Sequence, residues 1–214
     1  MKTMLNSTSI TGLVAATSAL LLAPLACAGI GEYDITVNTA PLIGQASGPF
    51  SLDFQLNDGS GSADANNLAT IGGYFYFGGA ATGSPAPSGG ASGDLYGAVH
   101  LTETSAFNEL YQGFTPGSTL TFHVSLTLNA DAGVTPDVFS FGILDSSLFN
   151  IPTTASDSSL FTISIYGGSS IVTTASGTDL PVTVNVTPVP EPGFWAAASG
   201  GLLLAFGAWR RVRR

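Results

Sequence analysis

Apolar and polar residues alternate with a period of two along much of the chain between residues 29 and 187. In residues 50–56, Phe50, Leu52, Phe54 and Leu56 fall on one face and polar side chains on the other, as in a half-buried β-strand. The stretch at 119–128 repeats this pattern, and no segment between residues 29 and 187 has helical periodicity. These patterns predict an all-β body, the name used below for residues 29–187.

The alternating stretches predict about nine strands, separated by Gly, Ser, Asn, Asp and Pro. They lie at 33–37, 50–56, 68–77, 95–101, 107–114, 119–128, 138–144, 160–166 and 182–186, with a further candidate at 171–174. Residues 78–93 are almost entirely Gly, Ala, Ser, Pro and Thr. Such a segment has little side-chain area to bury, so it predicts a mobile surface loop.

Strands with one polar face must bury the other face against a second layer. We therefore expect a two-sheet antiparallel β-sandwich of jelly-roll type, and a closed barrel is the alternative. The size agrees, because roughly 160 residues between the two chain ends are enough for one domain with a real core. An N-terminal signal helix and a C-terminal transmembrane helix are expected to flank this domain.

The chain ends in three parts that differ from the body. Val189, Pro190, Glu191 and Pro192 place two prolines around one acid, which predicts an extended, protease-accessible hinge. Residues 193–209 carry no charge and predict one transmembrane helix of roughly 25 Å, slightly short of the ~30 Å hydrocarbon core. Four arginines follow and predict a cytoplasmic end: Arg210, Arg211, Arg213 and Arg214.

This order of parts resembles the PEP-CTERM sorting signal of Gram-negative bacteria, in which a Pro-Glu-Pro motif, a hydrophobic helix and an Arg-rich end follow one another. The resemblance covers residues 188–214. It implies cleavage near the motif by an exosortase, transient inner-membrane anchoring, and delivery to the cell surface or the exopolysaccharide matrix. The body is also similar to an uncharacterised family of β-rich PEP-CTERM proteins at 52–59, 114–127 and 136–145, which implies no activity. An ordinary C-terminal anchor after a proline-rich linker is the alternative.

The first 28 residues predict a secretory signal peptide. Lys2 precedes an apolar stretch at 10–25, and Ala26 and Ala28 form the small-x-small site that a signal peptidase cleaves. Cleavage after Ala28 would remove Cys27, the one cysteine of the chain. A lipoprotein acylated at Cys27 is the alternative, although Pro24 stands where a leucine-like residue is usual.

Charge is distributed very unevenly along the chain. All five Lys and Arg residues lie in the terminal segments, whereas 13 of the 14 acidic residues lie between Glu32 and Asp179. A body without Lys or Arg has no cations for phosphate contacts, so nucleic acid is excluded as a partner. Mutual repulsion should raise the pKa of some of these carboxyls. The same negative charge favours divalent cations.

Catalytic motifs are absent from the sequence. No G-x-S-x-G occurs, and the two histidines, His100 and His123, lie within predicted strands, where alternation places His123 on a solvated face. We therefore expect a non-catalytic binding or structural protein. The rival hypothesis is a secreted carbohydrate-active hydrolase with two carboxylates across a cleft.

No cofactor is expected, apart from calcium held by carboxylates from separate loops, for which no ligand set can be named. The loop of Asn57, Asp58, Gly59, Asp64 and Asn66 offers oxygen ligands but does not follow the EF-hand order, so a solvated acidic loop is the simpler interpretation.

The run from Tyr74 to Phe77 provides a candidate glycan contact. Alternation places Phe75 and Phe77 on one face and Tyr74 and Tyr76 on the other, and the phenylalanines lack a polar group, so the tyrosines are expected to face outward. Tyr74 and Tyr76 would then form a ledge for the sugar rings of exopolysaccharide. The alternative is that Gly72 and Gly73 shift the register, or that a loop covers the ledge, and buries the tyrosines.

Overall fold

The structure is a computed structural model that describes residues 29–61, 63–129 and 135–189. The predicted signal peptide with Ala26 and Ala28 lies outside the described residues. Most of the predicted sorting signal also lies outside the described residues: Pro190, Glu191 and Pro192, the apolar run 193–209 and the four terminal arginines. Within the described ranges, no helix has the length and apolar character needed to cross a bilayer.

Thirteen β-strands and one short 3-10 turn, Ala40–Leu42, form the regular structure of the described residues, where no α-helix occurs. The all-β prediction is confirmed. The strands are β1 Gly29–Asn38, β2 Phe50–Asn57, β3 Leu68–Phe77, β4 Ala80–Ala81, β5 Ala86–Ser88, β6 Gly90–Gly93, β7 Val99–Thr102, β8 Phe107–Thr115, β9 Thr119–Leu128, β10 Asp137–Leu144, β11 Phe161–Ile165, β12 Ser170–Thr174 and β13 Thr183–Pro188.

The strands form two sheets in which every neighbouring pair is antiparallel. Sheet A has the order β13-β1-β9-β3-β7-β6. Sheet B has the order β12-β11-β10-β2-β8-β4, and β5 also pairs with β8. Several consecutive strands therefore belong to different sheets, because the chain crosses between the sheets from β1 to β2, from β2 to β3, and from β8 to β9.

One hydrophobic core lies between the two sheets. β9 alternates as predicted, with every second side chain buried, and β2 buries Phe50, Leu52, Phe54 and Leu56. Phe54 of sheet B meets Phe122 of sheet A edge to face, with ring centroids 5.5 Å apart. Burial of one such side chain contributes about 1.5–3 kcal/mol, so these alternating positions supply most of the drive for the two sheets to pack.

The prediction of a mobile loop at residues 78–93 is wrong. β4 and β5 pair with β8 at an edge of sheet B, and β6 pairs with β7 at an edge of sheet A. Backbone groups pair in a sheet whatever the side chains are, and small residues permit a close approach. A Cβ at Gly90 would lie 2.1 Å from the carbonyl oxygen of Thr102. The absence of bulky side chains therefore allows this pairing.

Some strand boundaries also differ from the prediction. β7 begins at Val99 and not at residue 95, because residues 94–98 form a turn in which Asp94 Oδ1 accepts hydrogen bonds from the amides of Tyr96 and Gly97, each at 2.9 Å. The further candidate at 171–174 is a true strand, β12.

Candidate binding surfaces

A β-bulge in β3 determines which aromatic side chains face solvent. Gly72 of β3 pairs with His123 of β9, and the next pair is Phe75 with Thr121, so β3 has one residue more than β9 in this interval. Gly73 has a φ of +65°, a left-handed conformation that glycine adopts at little cost. An extra residue moves every later side chain of the strand to the opposite face.

The predicted orientation of the aromatic run is therefore wrong. Tyr74 and Tyr76 pack against the core with ring centroids 6.3 Å apart, and burial raises the pKa of both phenols. Phe75 and Phe77 face outward and are 57% and 49% exposed. The register shift at Gly72 and Gly73, which was the alternative interpretation, is confirmed.

The two exposed phenylalanines form a compact pair, called here the aromatic ledge. Their ring centroids lie 4.4 Å apart and their planes are inclined by 66°. Side chains at alternate positions of a strand are spaced about 6.5–7 Å apart along the backbone, so the two rings lean together. The ledge is thus a continuous apolar surface on the outer face of sheet A.

Polar side chains continue this surface across the sheet. The strand register places Phe75 beside Thr121, then Thr36 and Asn185, and it places Phe77 in a second row beside Thr119, Asn38 and Thr183. Direct cross-strand partners share one face of a sheet. We call these six residues the polar strip: Thr36, Asn38, Thr119, Thr121, Thr183 and Asn185. Ledge and strip together extend over four strands, about 14 Å at ~4.8 Å per strand.

His123 lies on the same outer face, as predicted, between two carboxylates. Its Nδ1 is 2.9 Å from Asp34 Oδ1, and its Nε2 contacts Glu32 Oε2. Partial burial opposes protonation, but the hydrogen bonds and charges of Asp34 and Glu32 outweigh it and raise the pKa of His123. The histidine is therefore held by an ion pair at mildly acidic pH.

The outer face of sheet B carries a second polar group. Gln55 Nε2 donates hydrogen bonds to Asp53 Oδ2 at 2.7 Å and to Glu109 Oε1 at 3.3 Å. Burial, followed by the charge of Glu109, raises the pKa of Asp53 to about 7, and burial also raises the pKa of Glu109. The two carboxyls lie side by side on neighbouring strands, whereas the hydrolase hypothesis requires carboxylates on opposite walls of a cleft.

Asp53 opens into a pocket of about 130 Å³, called here the carboxyl pocket. Its lining includes Asp53, Gln55, Ser140, Asn150, Asp157 and Ser159. No sequence motif singles out these residues as a site. Their signal was present in the polar face of β2, but their assembly depends on which strands pair with β2, and a single sequence does not reveal this.

The loop after β2 is more ordered than a solvated acidic loop. Asp58 is only 7% exposed, and its carboxylate accepts hydrogen bonds from Ser60 Oγ at 2.7 Å and the amides of Gly61 at 2.8 Å and Ala63 at 2.5 Å. Burial opposes ionisation, but these hydrogen bonds lower the pKa of Asp58. Asp64 remains exposed, as predicted. In the described residues, no group of three or more His, Cys, Asp or Glu side chains could hold a metal ion.

The first residue of the predicted sorting motif is attached to the sheet. The amide of Val189 donates to the carbonyl oxygen of Glu32 at 2.7 Å, directly after β13 ends at Pro188. β1, the neighbour of β13, begins at Gly29, so Gly29 and Val189 lie at the same end of sheet A. Val189 is therefore hydrogen-bonded to sheet A, and the rest of the predicted hinge lies outside the described residues.

Comparisons with known proteins give no match. No protein-family model, no curated protein and no solved structure matches the chain. The resemblance to PEP-CTERM proteins remains a prediction from residues 188–214 and from the three stretches of the body.

Proposed function

We propose that this chain is an exported, exosortase-sorted protein of the cell surface or extracellular matrix, and that its body binds exopolysaccharide without catalysing a reaction. The observation that carries the proposal is the solvent-exposed ring pair of Phe75 and Phe77 beside the polar strip. Two adjacent apolar rings in water leave favourable burial unused, and contiguous exposed apolar patches commonly mark binding sites.

The chemistry of this surface suits a polysaccharide. Sugar rings present apolar C–H faces that pack on aromatic rings, and hydroxyl groups that exchange hydrogen bonds with Thr and Asn side chains. The ledge supplies the first kind of contact, and the six residues of the polar strip supply the second. The ledge and the polar strip together, about 14 Å across, are long enough for several sugar units of one polymer chain.

The strand order supports a finer description of the fold as a jelly-roll-type sandwich. The chain crosses repeatedly between the two sheets. This gives the order β1-β9-β3-β7 in sheet A and the order β2-β8-β4 in sheet B. Crossing of this kind is typical of the connectivity of the jelly roll, an architecture that occurs among lectin domains.

The chain ends supply the route to the matrix in this proposal. A signal peptidase would cut after Ala28, so the mature chain would begin at Gly29, where β1 begins. The precursor would be held in the inner membrane by residues 193–209 until an exosortase cleaves near Pro190, Glu191 and Pro192. This processing would release the body outside the cytoplasm.

Co-sedimentation of the full chain with exopolysaccharide purified from the host tests the proposal. We expect Phe75→Ala with Phe77→Ala to weaken the affinity about tenfold, since loss of stacking on each ring typically costs roughly 0.5–1.5 kcal/mol and about 1.4 kcal/mol corresponds to tenfold. Phe149→Ala is the matched control, because Phe149 is a 72% exposed phenylalanine in the segment between β10 and β11, outside the ledge and the polar strip. Equal binding of the wild type and of the folded double variant would overturn the proposal.

A further inference from the structure

Two buried acceptor atoms in the carboxyl pocket lack a hydrogen-bond donor. Asp53 is 1% exposed, and its Oδ1 has no hydrogen-bond partner; the same holds for Asn150 Oδ1. A buried acceptor without a donor costs about 1–3 kcal/mol, so two of them lining one pocket require an explanation.

The two atoms belong to neighbouring positions. Asp53 of β2 is the direct cross-strand partner of Gly142 in β10. The side chain of Asn150 lies over Gly142, where a Cβ would be 2.3 Å from Asn150 Oδ1. Direct cross-strand positions are about 4.5–5.5 Å apart, so Asn150 and Asp53 meet over one small area of the sheet.

The surroundings fix these groups in place. The backbone of Asn150 forms a β-bridge with Leu144, which anchors the segment that crosses the sheet. Asp157, on the pocket rim, accepts hydrogen bonds through Oδ1 from the amide and the hydroxyl of Ser159, at 3.1 and 2.7 Å. The carboxylate of Asp157 is therefore held in a fixed orientation at the rim of the pocket that the two buried acceptors line.

We propose that the carboxyl pocket is a calcium site in which Asp53 Oδ1, Asn150 Oδ1 and the carboxylate of Asp157 bind the ion, with water completing the coordination. The set contains two carboxylates and an amide oxygen, hard ligands of the kind that Ca²⁺ takes. The site is distinct from the aromatic ledge, because it lies on the outer face of the other sheet.

Size and charge favour a cation over an organic ligand. A pocket of about 130 Å³ holds roughly four water molecules at ~30 Å³ each, whereas pockets for organic ligands start near 300 Å³. No Lys or Arg occurs between residues 29 and 189 to neutralise the carboxylates. Ca²⁺ tolerates irregular geometry and few waters, whereas Mg²⁺ demands a near-ideal octahedron, so calcium fits this mixed ligand set better.

Isothermal titration of the full chain in non-ionic detergent with CaCl₂ tests the site. We expect one ion per chain with a dissociation constant of about 0.1–1 mM, as in extracellular calcium modules, and a much weaker response to MgCl₂.

Three variants locate the ion. Asp53→Asn and Asp157→Asn should each weaken binding by at least about tenfold, because each removes a charged ligand. Asp64→Asn is the matched control, since Asp64 is an exposed acid outside the pocket, and it should bind like the wild type. A wild type without a heat of binding would overturn the inference. Wild-type affinity in both folded pocket variants would also overturn it, by placing the ion elsewhere.

Discussion

Phe75 of β3 is the cross-strand partner of Thr121 in β9. Without the extra residue at the bulge, the pair of Gly72 with His123 would place Tyr74 opposite Thr121. Gly73 therefore determines which aromatic type reaches the solvent. The apolar rings lie outside, whereas Tyr74 packs inside against Phe54 and Phe122, and Tyr76 stacks on Tyr74.

Gly73→Ala should destabilise the body by about 1–2 kcal/mol, because the left-handed conformation at a φ of +65° is unfavourable for an L-residue with a Cβ. Space is not limiting, since a Cβ at Gly73 would have its nearest neighbour, His123 Cβ, at 4.0 Å. Urea unfolding monitored by tyrosine fluorescence measures the cost.

Gly72→Ala is the matched control for this prediction. A Cβ at Gly72 would make ordinary contacts of 3.6 and 3.7 Å, and its φ lies outside the left-handed range. We expect a change within about 0.5 kcal/mol. If both variants lose the same stability, backbone conformation at Gly73 does not hold the bulge.

Alternation along single strands was sufficient to predict the all-β class and most strands of the core. β2 and β9 carry their buried residues where a period of two places them, because each strand packs one face on the core. The strands β4 to β6 were missed because their side chains carry no periodic signal. They are held by backbone pairing, which leaves little signal in the pattern of side chains.

The candidate surfaces were harder to predict than the fold. The run of aromatic residues in β3 was found, but one extra residue reversed its faces, and only the pairing with β9 reveals where that residue lies. The carboxyl pocket needs β2 to lie between β8 and β10, and it needs Asn150 to fold back over Gly142. Both are long-range relationships that a single sequence does not encode locally.

Asp53 should make stability fall as pH rises. Its raised pKa, about 7, means that the folded state keeps a proton that the unfolded state loses near pH 4. Stability from this group is therefore complete below pH 4 and is lost as pH rises toward 7. In EDTA, Asp53→Asn should be more stable than the wild type by about 1–3 kcal/mol at pH 8, and nearly equal to it at pH 4.

Urea unfolding of both proteins at pH 4, 6 and 8 measures this difference. Asp145→Asn serves as the control, because Asp145 lies in a loop and accepts hydrogen bonds from the nearby amides of Ser147 and Phe149. A difference between Asp53→Asn and wild type that does not grow with pH would contradict the burial of an ionisable Asp53.

His123 should also make stability fall as pH rises, but here the charged form of the side chain is the one that the fold stabilises. Its pKa is raised in the folded state, so its stabilising interaction with Glu32 and Asp34 is fully present below the unfolded pKa of ~6.5. It is lost as pH rises through the folded pKa. His123→Gln should therefore lower the melting temperature more at pH 6 than at pH 8.

His100→Gln is the comparison for this prediction, since His100 contacts the hydroxyl of Thr70 at 3.2 Å instead of a carboxylate. This variant controls for the loss of an imidazole side chain from sheet A. An equal loss at pH 6 and pH 8 for His123→Gln would mean that the histidine is not charged in the folded protein.

Export and release are the central claim, because a ledge that never leaves the cytoplasm meets no exopolysaccharide. The most direct measurement is to tag the body internally, recover it from the native cell, and determine both termini by mass spectrometry together with its location. We predict an N-terminus at Gly29, a C-terminus at or near residues 190–192, and recovery from the cell surface or matrix. A full-length precursor that stays in the inner membrane while the exosortase is active would contradict the account.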